Sequence, residues 1–268
     1  MEIEFNNLVI DSLNGINLKI NNGDIVSFIG EELEILNNLF NLSRRPQKGK
    51  VMFNGTAFDH SSHIDNIERI TNKIEVVSSV NISNDILVED YIKQKIKDKN
   101  VNFKNINKRI EESLNIVNLD VKLLKRKMSE LSSNEYKLVL LGASLACNPD
   151  LIIINSLFNN MIYKEQEYFK KLFLKISKKF KKTIILVNED ISFIMNLVNK
   201  IFVINKGKIV YTGNKDSFYD SELYRYVDIP KIIEFTNYVN SLGHNILQYT
   251  EFNELIKEIY RNVKEKRD

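Results

Sequence analysis

The sequence is poor in the residue types that build disulfide frameworks and metal sites. Its 268 residues include one cysteine, three histidines, three prolines and no tryptophan. Cys147 is alone and lies in an apolar stretch, so a disulfide framework is excluded and a buried thiol in the reducing cytosol is expected. His60 and His63 have no cysteine or third ligand near them in the sequence, so we predict no metal site.

Long apolar runs and a one-sided charge are absent as well. No apolar stretch approaches the roughly 20 residues that span a bilayer, and the acidic start of the chain differs from a secretory leader. We therefore expect a chain that is neither secreted nor embedded in the membrane by itself. Lys and Arg number 38 against 35 Asp and Glu, without a dominant basic block, so nucleic acid is not an expected partner. The 43% hydrophobic content predicts a globular chain.

A third absence is that of lysine and arginine between residues 23 and 43, where Gly30 is the single glycine. In nucleotide-binding domains a phosphate loop, G-x-x-x-x-G-K-[ST], follows a strand such as the one ending here, and its N–H groups and lysine surround the phosphates. This chain has instead Glu31, Glu32, Leu33 and Glu34. Each carboxylate would repel a polyphosphate by about 3 to 4 kcal/mol at close range.

Short β-type runs alternate with longer helical patterns along most of the chain. The runs are residues 26–29, 151–154, 183–187 and 201–204. Strands separated by helices are typical of an α/β fold with a largely parallel sheet. After Asp228 the pattern is helical again, and Thr250 is the expected N-cap of the last helix.

Landmarks along nearly the whole chain occur in an order that is typical of one protein family. They are residues 1–5, 13–24 and 45–55, then Leu131 and Ser132, residues 141–154, 206–213, 228–230, 242–243 and 250–255. Together they resemble the ATP-binding subunit of an ABC transporter. The last three segments are similar to the C-terminal extension of the energy-coupling factor (ECF) importers of vitamins and metals.

The resemblance implies a fold, cofactors and partners. The fold is an α/β, P-loop NTPase-like ABC domain over residues 1–227, with a largely parallel sheet, an antiparallel β part and a helical insertion at about 81–127, followed by a small C-terminal helical extension over 228–268. ATP and Mg²⁺ are the family's cofactors. The implied partners are a second ABC ATPase subunit and a transmembrane coupling component, through which the chain would contact the membrane at its cytoplasmic face.

The departures from the family lie where the chemistry would be. Between Gly30 and Pro46 the chain is about three residues too short for the phosphate loop, and the family's lysine position falls near Leu33. Asn155 and Ser156 replace an Asp-Glu pair that holds Mg²⁺ and orients the attacking water. An amide and a hydroxyl can neither neutralise the metal nor take a proton.

Three further motif positions are also changed. The family's metal-contacting Gln corresponds to Ser79, and its switch His corresponds to Glu189. The signature Leu-Ser-Gly-Gly-Gln reads Leu131, Ser132, Ser133, Asn134 and Glu135, so Ser132 is the one residue left that could contact a phosphate. We therefore assign no catalytic, cofactor-binding or metal-binding residue.

Ordinary structural roles also explain most of these residues. Glu31, Glu32 and Glu34 are typical of acids in the first turn of a helix, and a built-in phosphate mimic is the weaker interpretation. Ser132 is expected to be a helix N-cap. Asn155 and Ser156 are interpreted as polar residues at a strand end, with backbone or water as their partners.

Three hypotheses for function follow. The favoured one is an ATPase-like subunit of an ECF-type importer that has lost catalysis and acts as a structural or regulatory half, paired with an intact paralogue. The second is a working ABC ATPase subunit with one residual ATP site, shared between Ser132 and the intact paralogue's phosphate loop. The third is a soluble interaction protein outside transport.

Overall fold

Two β-sheets and the helices around them organise the chain in the computed structural model. It describes residues 1–78, 85–99, 104–195, 197–214, 218, 226, 230–247, 249 and 252–265. Ser79, Asp228 and Thr250, which were named above from the sequence pattern, lie outside these residues, as do parts of the expected insertion at 81–84 and 100–103.

The larger sheet has six strands and carries the edge at which the candidate site lies. Its strands are β3 (Ile25–Gly30), β6 (Ile74–Val77), β7 (Leu151–Asn155), β8 (Thr183–Val187), β9 (Lys200–Asn205) and β10 (Lys208–Gly213). The spatial order is β10-β9-β3-β8-β7-β6, parallel except for the β9–β10 hairpin. The predicted largely parallel sheet is therefore confirmed.

The smaller sheet is antiparallel and is built from the N-terminal part of the chain. Its strands are β1 (Ile3–Ile10), β2 (Leu13–Ile20), β4 (Lys48–Phe53) and β5 (Thr56–Phe58), in the order β2-β1-β4-β5. Buried and exposed side chains alternate along the middle of this sheet, since one of its faces packs on the rest of the protein. It is the antiparallel part that the sequence resemblance implies.

Helices connect the strands and form the insertion and the tail. They are α1 (Leu33–Phe40), α2 (Ile64–Thr71), α3 (Val88–Asp98), α4 (Ile106–Ile116), α5 (Ser133–Ala146), α6 (Tyr163–Phe180), α7 (Ile191–Met195), α8 (Lys231–Ser241) and α9 (Phe252–Glu265). Short 3-10 turns at Val121–Lys125 and Met128–Glu130 lead into α5. The residues of the expected insertion that the structure describes are thus largely helical.

The six-stranded sheet separates two apolar cores. We call the inter-sheet core the buried set that includes Val26 and Phe28 of β3 and lies towards the four-stranded sheet. The helical core is the set that includes Ile25 and Ile29 of β3 and residues of α3 to α6. Because side chains alternate along a strand, β3 supplies both cores from its two faces, and its near-continuous apolar sequence follows from this double burial.

The tail helices α8 and α9 bury few side chains. Ile233, Ile246 and Leu255 are buried but belong to neither of the two cores. The side chain of Asn240 exchanges hydrogen bonds with the backbone of Ile246, which closes the turn after α8. The expected division of the chain at residue 227 stays a prediction. Within the described ranges, none of the helices combines the length and apolarity that crossing a bilayer requires.

Candidate functional site

The carboxyl ends of the parallel strands bring the sequence-predicted positions to one edge of the sheet. Asn155 at the end of β7 lies opposite Val187 of β8, and Val187 in turn lies opposite Phe28 of β3. In open α/β sheets, ligands bind in the crevice outside this edge. The residues that follow β3, β7 and β8 therefore define the candidate site.

The connection from β3 to α1 is too short and too tightly packed to form a phosphate loop. Only two residues, Glu31 and Glu32, separate the strand from the helix. The N–H group of Glu31 donates to the carbonyl oxygen of Ile204 at 2.9 Å. Gly30 has a φ of +108°, and a Cβ atom there would lie 2.1 Å from the same oxygen. The turn is therefore in direct backbone contact with the end of β9, and glycine is required.

The three glutamates do not share the role that the sequence suggested. Helix α1 begins at Leu33, so Glu34 alone lies in its first turn. Glu31 accepts a hydrogen bond from the N–H group of Lys206 at 3.1 Å. Glu32 occupies the N-cap position in a left-handed conformation, makes no capping bond, and its buried Oε2 has no hydrogen-bond partner among the described residues. The expectation of three first-turn acids is correct for Glu34 alone, because the helix starts later than the acidic run.

Leu33, the residue nearest to the family's lysine position, faces the protein interior. Its side chain is 8% exposed and belongs to the inter-sheet core, together with Leu36, Leu39 and Phe40 of the same helix. The apolar spacing of α1 therefore orients this position into packing rather than towards the edge of the sheet.

The two residues in the place of the Asp-Glu pair bond to their immediate neighbours. The hydroxyl of Ser156 donates to the side-chain oxygen of Asn155 at 3.2 Å and lies 3.4 Å from the carbonyl oxygen of Asn188. The amide of Asn188 donates to the Ser156 hydroxyl at 2.9 Å. The structure therefore confirms that Asn155 and Ser156 lie at a strand end, but their partners are mainly side chains and not only backbone or water as expected.

Glu189 has contacts that the sequence did not reveal. Its side chain is 5% exposed, and its two carboxylate oxygens accept from the backbone N–H groups of Leu157 at 2.7 Å and Phe158 at 2.8 Å. Burial raises the pKa of Glu189 to about 7, although both amide donors act to lower it. The neighbouring Asp190 accepts from the N–H group of Asn160 at 2.7 Å. The available signal was a pair of consecutive acids that follows a buried strand after one intervening residue, Asn188.

Ser132 lies at the start of α5 and is its N-cap. Its hydroxyl accepts from the N–H group of Glu135, while the Glu135 carboxylate accepts from the Ser132 N–H at 2.9 Å and from the hydroxyl at 2.7 Å. These reciprocal bonds form a capping box, and they hold the pKa of Glu135 below its ordinary value. The predicted N-cap is confirmed.

The donor set at this edge does not fit a Mg²⁺-bound triphosphate. The β3–α1 turn offers acids where phosphates need N–H groups and a cation, and the Glu31 N–H is already bonded to Ile204. Asn155 and Ser156 carry no negative charge for a metal ion. Among the described residues, no group of three His, Cys, Asp or Glu side chains is placed to hold a metal.

Comparisons with known proteins agree with this architecture. The sequence profile described as ABC transporter matches residues 13–159, just over half of the chain. An ABC transporter ATP-binding protein from Clostridium acetobutylicum is 25% identical over 264 residues, which are 95% of this chain and 92% of the relative. The energy-coupling factor transporter ATP-binding protein EcfA2 from Mycoplasma capricolum is 25% identical over 143 residues, which are 52% of this chain and 50% of that protein.

A solved structure gives the same result for the fold. The cbiO1 protein from Clostridium perfringens, described as part of the ABC transporter complex cbiONQ, superposes with a TM-score of 0.72 at 21% identity. The alignment covers 88% of this chain and 98% of that structure, and at this identity it shows the fold alone. Together with the profile match, it confirms the expected α/β, P-loop NTPase-like ABC fold. The chain therefore belongs to the ABC transporter family, and residues 13–159 match that family's ATP-binding domain.

Proposed function

We propose that this chain is a catalytically degenerate ATPase-like subunit of an ECF-type importer, which acts as the structural or regulatory half of an ATPase pair. The observation that carries the proposal is the closed connection between β3 and α1, where two glutamates stand in the place of a phosphate loop. A chain that has no cation and no free turn at this position has little means to hold a triphosphate.

Two further observations support the loss of catalysis. Asn155 and Ser156, which are uncharged and stand in the place of the Asp-Glu pair, hydrogen-bond to each other. Glu189, in the place of the switch His, is buried and bonded to the backbone of Leu157 and Phe158. A group so engaged is a poor candidate for orienting an attacking water, since a catalytic base must reach the proton that it takes.

The proposed partners are an intact ABC ATPase paralogue and a transmembrane coupling component. The relative named EcfA2, which matches 52% of this chain, supports the ECF branch. The proposed location is the cytoplasmic face of the membrane, where contact with the bilayer passes through the partner. Residues 81–127 would contact the transmembrane component and residues 228–268 the second ATPase subunit.

The residual-site alternative is less well supported by the contacts of Ser132. Its hydroxyl donates to the carboxylate of Glu135, which places a negative charge directly beside the one serine that could contact a phosphate. An approaching triphosphate would meet this repulsion before it reached the hydroxyl.

Nucleotide binding by the purified chain tests the proposal. A site with a Kd of about 10 μM would add about 2.7 kcal/mol of stability at about 1 mM ATP. We expect no change in the melting temperature with Mg²⁺ and ATP, and no heat of binding by titration calorimetry. The Leu33→Lys variant is the matched control: it returns a lysine to the motif, yet we expect no binding because this position packs in the inter-sheet core. Micromolar ATP binding by the wild type would overturn the proposal.

A further inference from the structure

The loop after β7 is joined to the end of β8 by a set of hydrogen bonds within the chain. At its start, the N–H group of Ser156 donates to the carbonyl oxygen of Val187 at 3.1 Å. At its far end, the side-chain amide of Asn159 donates to the carbonyl oxygen of Asn188 at 3.1 Å, and the N–H group of Asn160 donates to Asp190. The loop, residues 156–160, is thus held along its whole length by residues 187–190.

Its centre has the geometry of an anion-binding nest. Ser156 adopts a left-handed conformation, with a φ of +52°, and the N–H groups of the next two residues both point to the carboxylate of Glu189. Successive N–H groups that converge in this way form a concavity that binds anions such as phosphates. Here the point of convergence is occupied by the two carboxylate oxygens of Glu189, at 2.7 and 2.8 Å.

The surroundings of this carboxylate exclude water, which strengthens its hydrogen bonds but also disfavours its charged form. Phe158 is fully buried, and its ring packs against the rings of Phe169, Phe173 and Phe193. Hydrogen bonds to a charged acceptor gain strength where water is excluded. Two other charged groups act on Glu189. Asp190, the next residue, raises its pKa, and Lys137 of α5 lowers it. The Nζ of Lys137 lies 5.8 Å from the centre of the Phe158 ring.

We propose that Glu189 is a positioning residue whose carboxylate is an internal anion: it fills the backbone nest of Leu157 and Phe158 and fixes residues 156–160 in one conformation without a bound ligand. Asp190 extends the same function to Asn160. Above the raised pKa of Glu189, which is about 7, the order of the loop is therefore a property of the fold and does not await any external anion. The inference stands whether or not ATP binds elsewhere on the molecule.

The inference is tested by removing the Glu189 carboxylate and then adding a small carboxylate to the solution. Amide hydrogen exchange at Leu157 and Phe158 is measured by NMR near pH 8 on the full chain. The Glu189→Ala variant should exchange about tenfold faster at these amides, because charged acceptors make the stronger hydrogen bonds. Formate or acetate, at about 100 mM, should restore much of the protection by entering the vacated nest. Sodium chloride at the same ionic strength should restore less.

A matched control comes from Glu135, which also accepts from a backbone N–H but is only partly buried, with 32% of its side chain exposed. The Glu135→Ala variant should leave exchange at Leu157 and Phe158 unchanged, and formate should have no effect on it. If Glu189→Ala does not fold, Glu189→Gln provides the comparison, since the amide keeps one acceptor and should retain protection at one of the two N–H groups.

Three results would overturn the inference. The first is rapid exchange at Leu157 and Phe158 in the wild type without any ligand. The second is protection that appears only when Mg²⁺ and ATP are added. The third is a folded Glu189→Ala variant whose exchange at both amides equals that of the wild type. If ATP binds but the two amides are protected without it, the proposal that the chain has lost ATP binding is contradicted. The inference about Glu189 is then unaffected.

Discussion

At the scale of single residues, burial separates the acids at the carboxyl edge of the sheet into two kinds. Glu31 and Glu34 are exposed, so water screens their charges. Glu189 is 5% exposed, and burial raises its pKa from the ordinary value of 4.5 to about 7. The same side-chain type is thus an ordinary surface acid at one position and a titrating group near neutral pH at another.

This raised pKa gives a pH dependence of stability. Between pH 4.5 and about 7 the folded protein keeps a proton on Glu189 that the unfolded chain has released. The contribution of this group is therefore fully present below pH 4.5 and is lost as the pH rises through about 7. We expect the free energy of unfolding to fall by roughly 3 kcal/mol between pH 4.5 and 8 on account of Glu189. Urea unfolding of the wild type and of Glu189→Gln from pH 4.5 to 8 measures this change in the free energy of unfolding. Parallel pH profiles for the two proteins would contradict the prediction.

Residue-scale prediction from the sequence succeeds where the partners are close in the chain. Ser132 and Glu135 are three residues apart and follow the capping-box pattern, so the N-cap could be predicted. The contacts of Glu189 join residues 31 and 32 positions apart, and no local pattern encodes them. The sequence identified the position as altered but not the role of its carboxylate.

At the scale of elements, backbone packing limits the length and path of the β3–α1 turn. Its path depends on Gly30, whose missing Cβ leaves room for the carbonyl oxygen of Ile204. A longer loop would have to move away from β9 and give up the bond between Glu31 and Ile204. The short connection and the strand end that it contacts therefore act as one unit.

The Gly30→Ala substitution tests this dependence. The new Cβ would lie 2.1 Å from the Ile204 oxygen, at a φ of +108° that alanine rarely adopts. We expect a loss of about 2 to 5 kcal/mol, from backbone strain and overpacking together. Gly55→Ala is the control: its φ of +79° is also positive, but nothing lies within 4 Å, so about 1 to 2 kcal/mol is expected. Equal losses in urea unfolding would remove the proposed role of the Ile204 contact.

Strands and helices were the most predictable elements. The four β-type runs correspond to β3, β7, β8 and β9 within a residue or two, because apolar strands buried on both faces give a strong pattern. The start of α1 was placed too early, since acids are common both before and inside a first turn. The closure of the turn against β9 depends on residues far apart in sequence and could not be predicted.

At the scale of the whole molecule, a buried ion pair joins the helical insertion to the edge of the six-stranded sheet. Glu75 of β6 is 2% exposed and lies 2.7 Å from Lys95 of α3 and 2.9 Å from Lys99, the C-cap residue of the same helix. Lys99 also donates to the carbonyl oxygens of Thr71 and Ile74. One carboxylate therefore fixes the position of α3 against the sheet through two cations.

Removal of this carboxylate should weaken the whole molecule. The Glu75→Ala variant leaves two partly buried lysines without their anion, and we expect a loss of about 2 to 4 kcal/mol of unfolding free energy. Glu89→Ala is the matched control on the same helix, because the Glu89–Lys93 pair is more exposed and should contribute less than about 1 kcal/mol. Chemical unfolding measures both, and a Glu75→Ala loss no larger than that of the control would refute the prediction.

The overall architecture was predictable because it rests on ordered landmarks spread over the chain. The family-like order from residues 1–5 to 206–213 led to the fold that the structure and the profile match confirm. The buried triad of Glu75, Lys95 and Lys99 gave no such signal, since Lys and Glu residues are frequent throughout the sequence. Which charges become buried is decided by tertiary packing.

Because β3 is buried on both faces, the stabilities of the two cores are coupled. Val26 and Phe28 belong to one core, and Ile25 and Ile29 belong to the other. If either layer melted, the same strand would be exposed to water on one face and would lose the support that keeps its other face in register. Unfolding of one layer at this strand therefore destabilises the other layer, and we expect the two layers to unfold together in a single cooperative transition.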